Sequence, residues 1–399
     1  MKKIAFLCVF AIVCLGSVMA QDKIASDKQI SILAWAGIPA GETNVDRFKE
    51  LKEMGININL SSYPNADAMQ KALDLAHEVG MKMITSCPEL KTDVETTVRR
   101  FMNHPALAGY FLKDEPVQKD FAELGAWAKK IEAMDSKHFC FVNLMASIHT
   151  TNTEALGTAS YAEYVSAFAR EVPSQLLSFD FYPVLGNGVH ERWYDGLEIF
   201  SAEARKLNKP FWASALASSY NELHPIPTIP ALRLQLYSNL AYGAQGLEYW
   251  TYWMSQGLRS APIGLYGKRT VVYDMIKAVN KEIQDLAGVF VGSKVVSVGH
   301  TGIVIPRGTL RLSTTLPWAI KVFETEGSGA LVSTLENGEN TFFVVVNRDL
   351  KKSMPVIILG DESVKRVLKD GSIVKASKYA NTTEVEPGDI VVYMFPTKK

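Results

Sequence analysis

Short runs of apolar, β-prone residues recur from Ile30 onward, with helix-period stretches between them. Eight such runs begin near Ile30 (ISILAWAG), Ile56 (ININLSS), Lys82 (KMITSC), Leu107 (LAGYFLKDE), His138 (HFCFVNLM), Leu176 (LLSFDFYP), Pro210 (PFWASALAS) and Gly246 (GLEYWTYW). Between them, segments such as NVDRFKELKEMG, ADAMQKALDLAHEVG, FAELGAWAKKIEAMD and ALRLQLYSNLAYGA place apolar residues at i, i+3, i+4 and i+7, the stripe of an amphipathic helix. Several of these segments run into a glycine before the next strand, at Gly55, Gly80 and Gly246, as helix C-caps do. Strand and helix alternating eight times predict a (β/α)8 TIM barrel, an α/β fold. A doubly wound sheet is the competing arrangement, but no G-x-G-x-x-G follows the first strand.

After about Val291 the pattern changes to short strands separated by Asn-Gly, Gly-Asp and Asp-Gly turns, as in ALVSTLENGENTFFVVVNRD and VEPGDIVVYMF. No convincing helix period remains, which predicts an all-β C-terminal domain, an antiparallel sandwich. At the other end, Lys2 and Lys3, an apolar run to about Val18 and SVMA before Gln21 have the three parts of a secretory signal. The expected organisation is a signal peptide over 1–20, a barrel over 21–291 and a β-sandwich over 292–399. The chain is then exported, to a periplasm or the extracellular space, with no membrane span.

Lys plus Arg and Asp plus Glu both number 42, so no bulk charge points to nucleic acid. Outside the signal only Cys87 and Cys140 remain, on different predicted strands with another between them. They are expected to be free and buried rather than bridged. The seven histidines show neither H-x-H nor H-E-x-x-H spacing, so no metal or cofactor is implied. His149 and His190 follow strands five and six and could bind sugar hydroxyls, but an ordinary surface role is the expectation for both.

The chemistry concentrates at strand ends, where such barrels carry their sites. The fourth strand stops at Asp114-Glu115-Pro116, and the sixth ends SFDFYP, placing Asp180 and Tyr182 at the same rim. A capping role for Asp114 at the next helix, with Pro116 as a helix-start residue, is the competing explanation. Trp35, Tyr63, Trp212, Trp250, Tyr252 and Trp253 lie on or after other strands, and Asn143 ends the fifth. Aromatic faces suit the C–H faces of sugar rings, and neighbouring amides and carboxylates suit hydroxyls, so these residues are candidates for binding carbohydrate.

The strand-four acid, SFDFYP, GAQGLEYWTYW and the trailing β-domain together resemble glycoside hydrolases of the large retaining barrel clan, particularly the family 42 β-galactosidase type. The resemblance implies Glu115 as general acid/base, with Asp114 where that clan usually has Asn. It also implies a nucleophilic Glu at the end of strand seven, where this chain has Ser214 and Ala215. Ordinary glycoside hydrolysis needs two carboxyl groups, and the substitutes are Asp180, Glu222, Glu248 and Glu89. Glu248 lies deeper than the rim, where a structural ion pair is expected. The adjacent Asp-Glu pair is also similar to substrate-assisted N-acetylhexosaminidases of the family 123 type. That likeness implies that the sugar's own acetamido group attacks, with Asp114 orienting its nitrogen and Tyr182 bonding its oxygen. A barrel without its nucleophile could instead be a non-catalytic glycan-binding protein.

Overall fold

In the computed structural model, residues 23–24, 27–146, 153–186, 188–376 and 381–398 are described. The expected signal peptide and His149 lie outside them. Eight parallel strands close a barrel: β1 (Ser31–Ala34), β2 (Ile58–Leu60), β3 (Lys82–Thr85), β4 (Leu107–Asp114), β5 (Phe139–Leu144), β6 (Leu177–Phe179), β7 (Phe211–Leu216) and β8 (Gly246–Trp250). β8 closes against β1, with Leu33 opposite Glu248.

Alternation along each strand divides its residues between two cores. Ile32, Ala34, Val142, Leu144, Ala213 and Ala215 point outward to the surrounding helices. Leu33, Ile58, Ile84, Phe141 and Trp212 point into the barrel. Helix ends follow local chemistry: Asn44, Asn65, Ser160 and Thr228 each cap a helix by accepting from the backbone N–H three positions on. Gly55 and Gly80 adopt the positive φ of C-caps, but the third such glycine is Gly243. Gly246 instead opens β8, because a Cβ there would sit 2.5 Å from the Trp212 indole.

The C-terminal strands are β9 (Lys294–His300), β10 (Ile320–Glu324), β11 (Ala330–Asn337), β12 (Asn340–Asn347), β13 (Met354–Gly360), β14 (Lys365–Val367), β15 (Ile373–Lys375), β16 (Asn381–Val385) and β17 (Ile390–Pro396). They form a six-stranded sheet ordered β9-β11-β12-β17-β14-β15 and a three-stranded sheet ordered β10-β13-β16. The apolar run IVIPRG, which begins at Ile303, is irregular rather than a strand: Ile303 and Val304 are exposed. Both faces of the larger sheet are buried. Phe343, Val345, Val391 and Tyr393 pack toward the smaller sheet, whereas Phe342, Val344, Val346 and Val392 join the main core with the barrel helices. The β-domain is thereby a sandwich on one side and a wall of the barrel assembly on the other. Cys87 and Cys140 are both free and buried. Among the described residues no helix is long and apolar enough to cross a membrane.

Candidate active site

The inward positions of the strands, two residues apart, stack in layers from the barrel floor to the carboxyl-end mouth. Phe139, Leu176 and Trp212 lie lowest, and Phe141, Ser178, Ser214 and Glu248 come next. Asn143, Asp180 and Trp250 stand above them, beside Asp114 at the end of β4. The eighth-strand acid therefore sits below the rim, fully buried.

Asp114 does not cap a helix. The next α-helix begins at Phe121, and Asp114 Oδ1 accepts from Asn143 Nδ2 at 3.0 Å. Its side chain reaches solvent at the mouth, yet surrounding protein pushes its carboxyl above the usual range, with the Asn143 amide pulling the other way. Glu115 is exposed, with its backbone in the left-handed region at φ 44°, a conformation rare for residues other than glycine. Its N–H donates to the Asn143 carbonyl at 2.8 Å.

Asp180 gathers these acids electrostatically. Burial pushes its carboxyl far up, and the negative charges of Glu115, Asp114 and Glu248, in that order, push it further. Tyr182 hydrogen-bonds to Asp180 and moderates that rise, and burial beside those acids raises its own phenol. The Tyr182 hydroxyl thus has a protein partner and is not free for a substrate oxygen while that bond holds. Asp180 Oδ1 is buried without any partner in the protein.

Glu248 is not in an ion pair. Its Oε2 accepts from the Trp35 indole at 2.7 Å, and its Oε1 lies 2.7 Å from Ser178 Oγ. Burial pushes it up to about 7, so a neutral carboxylic acid, not an ion pair, answers the desolvation cost. Glu222 is highly exposed in the loop beyond β7 and pairs with Arg259 at 3.6 Å. The inward positions of β7 are Trp212, Ser214 and Leu216, none of them an acid. Ser214 is committed elsewhere, its hydroxyl accepting from the Phe181 N–H at 3.1 Å. Glu89 lies half-buried at the start of a short helix, with Oε2 unpartnered.

The aromatic candidates separate by depth. Trp250 is half-buried at the mouth, 5.6 Å from the Tyr182 ring and 5.2 Å from Tyr220. Trp35 is half-buried too and, with Trp253, Leu60 and Phe111, borders a cleft of about 570 Å³ beside the mouth. Trp253 is itself buried under the Arg47 guanidinium, 4.9 Å from its ring centre. Trp212 packs at the barrel floor with Phe139 and Phe141. Tyr63 is buried, its hydroxyl directed at the Ile38 carbonyl, and Tyr252 is buried. Trp212, Tyr63 and Tyr252 therefore offer no open face to a ligand. His190 lies outside the acid group, its ring 5.3 Å from Phe181.

Two site residues had no flag in the sequence. Ser178 shares Asp180's inward face two residues earlier, a period-2 signal that was available. Tyr220 lies in the loop after β7, where no periodicity applies. Among the described residues, no group of three or more His, Cys, Asp or Glu could hold a metal ion.

No protein-family model matches this chain, and no curated protein matches it in sequence. Solved structures match by fold. A catalytic mutant of a GH42 β-galactosidase from G. stearothermophilus aligns over 94% of this chain and 100% of its own, at 9% identity and TM-score 0.59. An Anoxybacillus α-amylase aligns over 93% and 98%, at 12% identity and TM-score 0.52. A GH27 β-L-arabinopyranosidase from Geobacillus stearothermophilus aligns over 92% and 95%, at 10% identity and TM-score 0.50. At such identities the likeness is one of architecture: this chain shares the barrel-plus-β-domain fold of these three proteins.

Proposed function

We propose that the chain is an exported glycoside hydrolase that cleaves bonds to 2-acetamido sugars by substrate-assisted catalysis. The observation that carries this reading is the placement of the acids around the mouth: Glu248 is enclosed in the barrel, Asp180 is largely covered, and Glu222 lies out in a loop. A protein nucleophile must be ionised, yet Asp180 and Glu248 are held toward their neutral forms, and Glu222 stands in an exposed ion pair. β7 supplies no acid. The β4 pair remains, and an enzyme with one acid/base and one orienting carboxylate needs its nucleophile from the substrate.

In this mechanism the acetamido oxygen attacks the anomeric carbon as the bond to the leaving oxygen breaks, and Glu115 gives that oxygen its proton. Water then attacks the anomeric carbon and opens the resulting oxazoline-type ring, Glu115 taking a proton from that water, so the anomeric configuration is retained. Asp114 accepts from the acetamido N–H, and Trp250 offers its face to the sugar.

The unpartnered Oδ1 of Asp180 favours a second reading, in which neutral Asp180 is the acid and Glu115 the base for water in an inverting enzyme. The first-formed anomer, followed by proton NMR on aryl β-N-acetylglucosaminide and β-N-acetylgalactosaminide, separates the two. Retention supports the substrate-assisted route and inversion the Asp180 route. Glycan binding without any turnover would make this a binding protein on a glycosidase barrel.

A further inference from the structure

Asp114 and Glu248 stand at the two ends of one hydrogen-bonded chain. Asn143 Nδ2 meets Asp114 Oδ1 at 3.0 Å, Asn143 Oδ1 meets Ser178 Oγ at 2.9 Å, and Ser178 Oγ meets Glu248 Oε1 at 2.7 Å. Asn143, Ser178 and Glu248 are all buried, so water does not substitute for a missing donor inside the chain.

Counting hydrogens limits its states. An ionised carboxylate only accepts, a hydroxyl donates once, and an amide presents a donor on one side and an acceptor on the other. With both carboxyls ionised, Ser178 must donate to Glu248 and Asn143 to Asp114. The central contact then sets oxygen against oxygen with no proton between them. All three bonds form only when one terminal carboxyl carries a proton. Turning the Asn143 amide over does not change the count; it only moves the proton to the other end.

Burial decides which end. Glu248 is fully enclosed in the barrel, whereas Asp114 reaches solvent at the mouth, and the charged form is favoured where solvent reaches it. We infer that Glu248 is a neutral acid that positions the carboxylate of Asp114 through Ser178 and Asn143, acting as a proton-dependent positioning residue for the barrel mouth. The chain runs from the Glu248 proton to Ser178, from Ser178 to Asn143, and from the Asn143 amide to Asp114. The rise of Glu248 to about 7 agrees with this order. When Glu248 loses its proton, Ser178 turns toward it, the Ser178–Asn143 bond is lost, and the amide that fixes Asp114 is released. The titratable groups that face Glu248 are Asp114 from β4 and Asp180 and Tyr182 from the end of β6. Trp35, Asn143 and Ser214, from β1, β5 and β7, add no charge.

The inference rests on the reading of Asp114 as a substrate contact only for its catalytic consequence; the proton on Glu248 is testable without any substrate. Difference infrared spectra of the full-length wild type against Glu248→Gln are expected to show a neutral-acid carbonyl band at mildly acid pH that titrates away near pH 7. No such band while the chain is folded overturns the inference. In kinetics, Glu248→Gln can still donate to Ser178 and is expected to stay well above Glu248→Leu in kcat. Glu248→Leu cannot donate and is expected to lower kcat about 10²-fold across the range, the scale of a misplaced catalytic group. A Gln variant as impaired as the Leu variant also overturns it.

Discussion

Asn143 holds both members of the β4 acid pair at once. Its carbonyl oxygen accepts from the Glu115 N–H at 2.8 Å, and its side-chain amide donates to Asp114 at 3.0 Å. One residue at the end of β5 therefore fixes the backbone turn that presents Glu115 and the direction in which Asp114 points.

The turn itself makes a prediction about stability against activity. At φ 44° a side chain costs about 1 kcal/mol that glycine does not incur. Glu115→Gly is expected to raise stability by roughly that amount in denaturant melts while abolishing hydrolysis. A destabilised Gly variant would show that the Glu115 side chain contributes to folding rather than only to function.

Glu248 and His300 should bend the stability curve in opposite directions. Glu248 is raised in the folded state from 4.5 to about 7, so the fold binds its proton more tightly than the unfolded chain. Its contribution is whole below about 4.5 and is lost as pH rises through 7, on the order of 3 kcal/mol. Glu248→Gln is expected to flatten that decline in melts taken across the same range.

His300, buried between the barrel helices and the β-domain, has its Nε2 2.9 Å from the Tyr242 hydroxyl, which itself donates to Glu198, and faces the Arg348 charge. Burial lowers it from 6.5 to about 3. Its contribution is present above about 6.5 and lost as pH falls through 3, because the unfolded chain takes up the proton first. His300→Phe should remove this acid-side loss, measured as the slope of melting temperature against pH.

Which aromatics are legible in the sequence is a matter of depth. Trp212 and Trp250 both occupy inward positions, and period 2 tells that they face the barrel axis. It does not tell that β7 and β8 are staggered so that Trp212 lies opposite Gly246 at the floor while Trp250 reaches the mouth. The eight strands are legible because each belongs to a short, mostly apolar and β-prone run, and the β4 and β6 acids are legible because they interrupt such runs. The neutrality of Glu248 was not, since it depends on Trp35 and Ser178 from other strands. An isolated acid in an apolar strand reads equally as half of an ion pair. Tyr63 and Tyr252 misled for the same reason as Trp212: their composition suits a sugar platform, and only packing shows that they are covered.

That distinction is measurable. Trp212→Ala empties a large core volume and is expected to cost about 3–5 kcal/mol, seen as a lowered midpoint in denaturant. Trp250→Ala should leave the midpoint far less affected and raise KM for substrate. Equal destabilisation by both would remove Trp250 from the binding surface.

Tyr182→Phe removes the hydrogen bond that restrains the rise of Asp180. The Asp180 carboxyl is then expected to titrate at still higher pH, followed by carbon NMR of labelled aspartate. A downward or absent shift would mean that the phenol does not act on Asp180.

The most direct test of the glycosidase account is hydrolysis of aryl β-N-acetylglucosaminide, β-N-acetylgalactosaminide and β-galactoside by the wild type and by Glu115→Gln. The account predicts turnover confined to the acetamido sugars and a fall of about 10²–10⁴-fold in the variant. Turnover of the plain galactoside, or a variant as fast as the wild type, would contradict it.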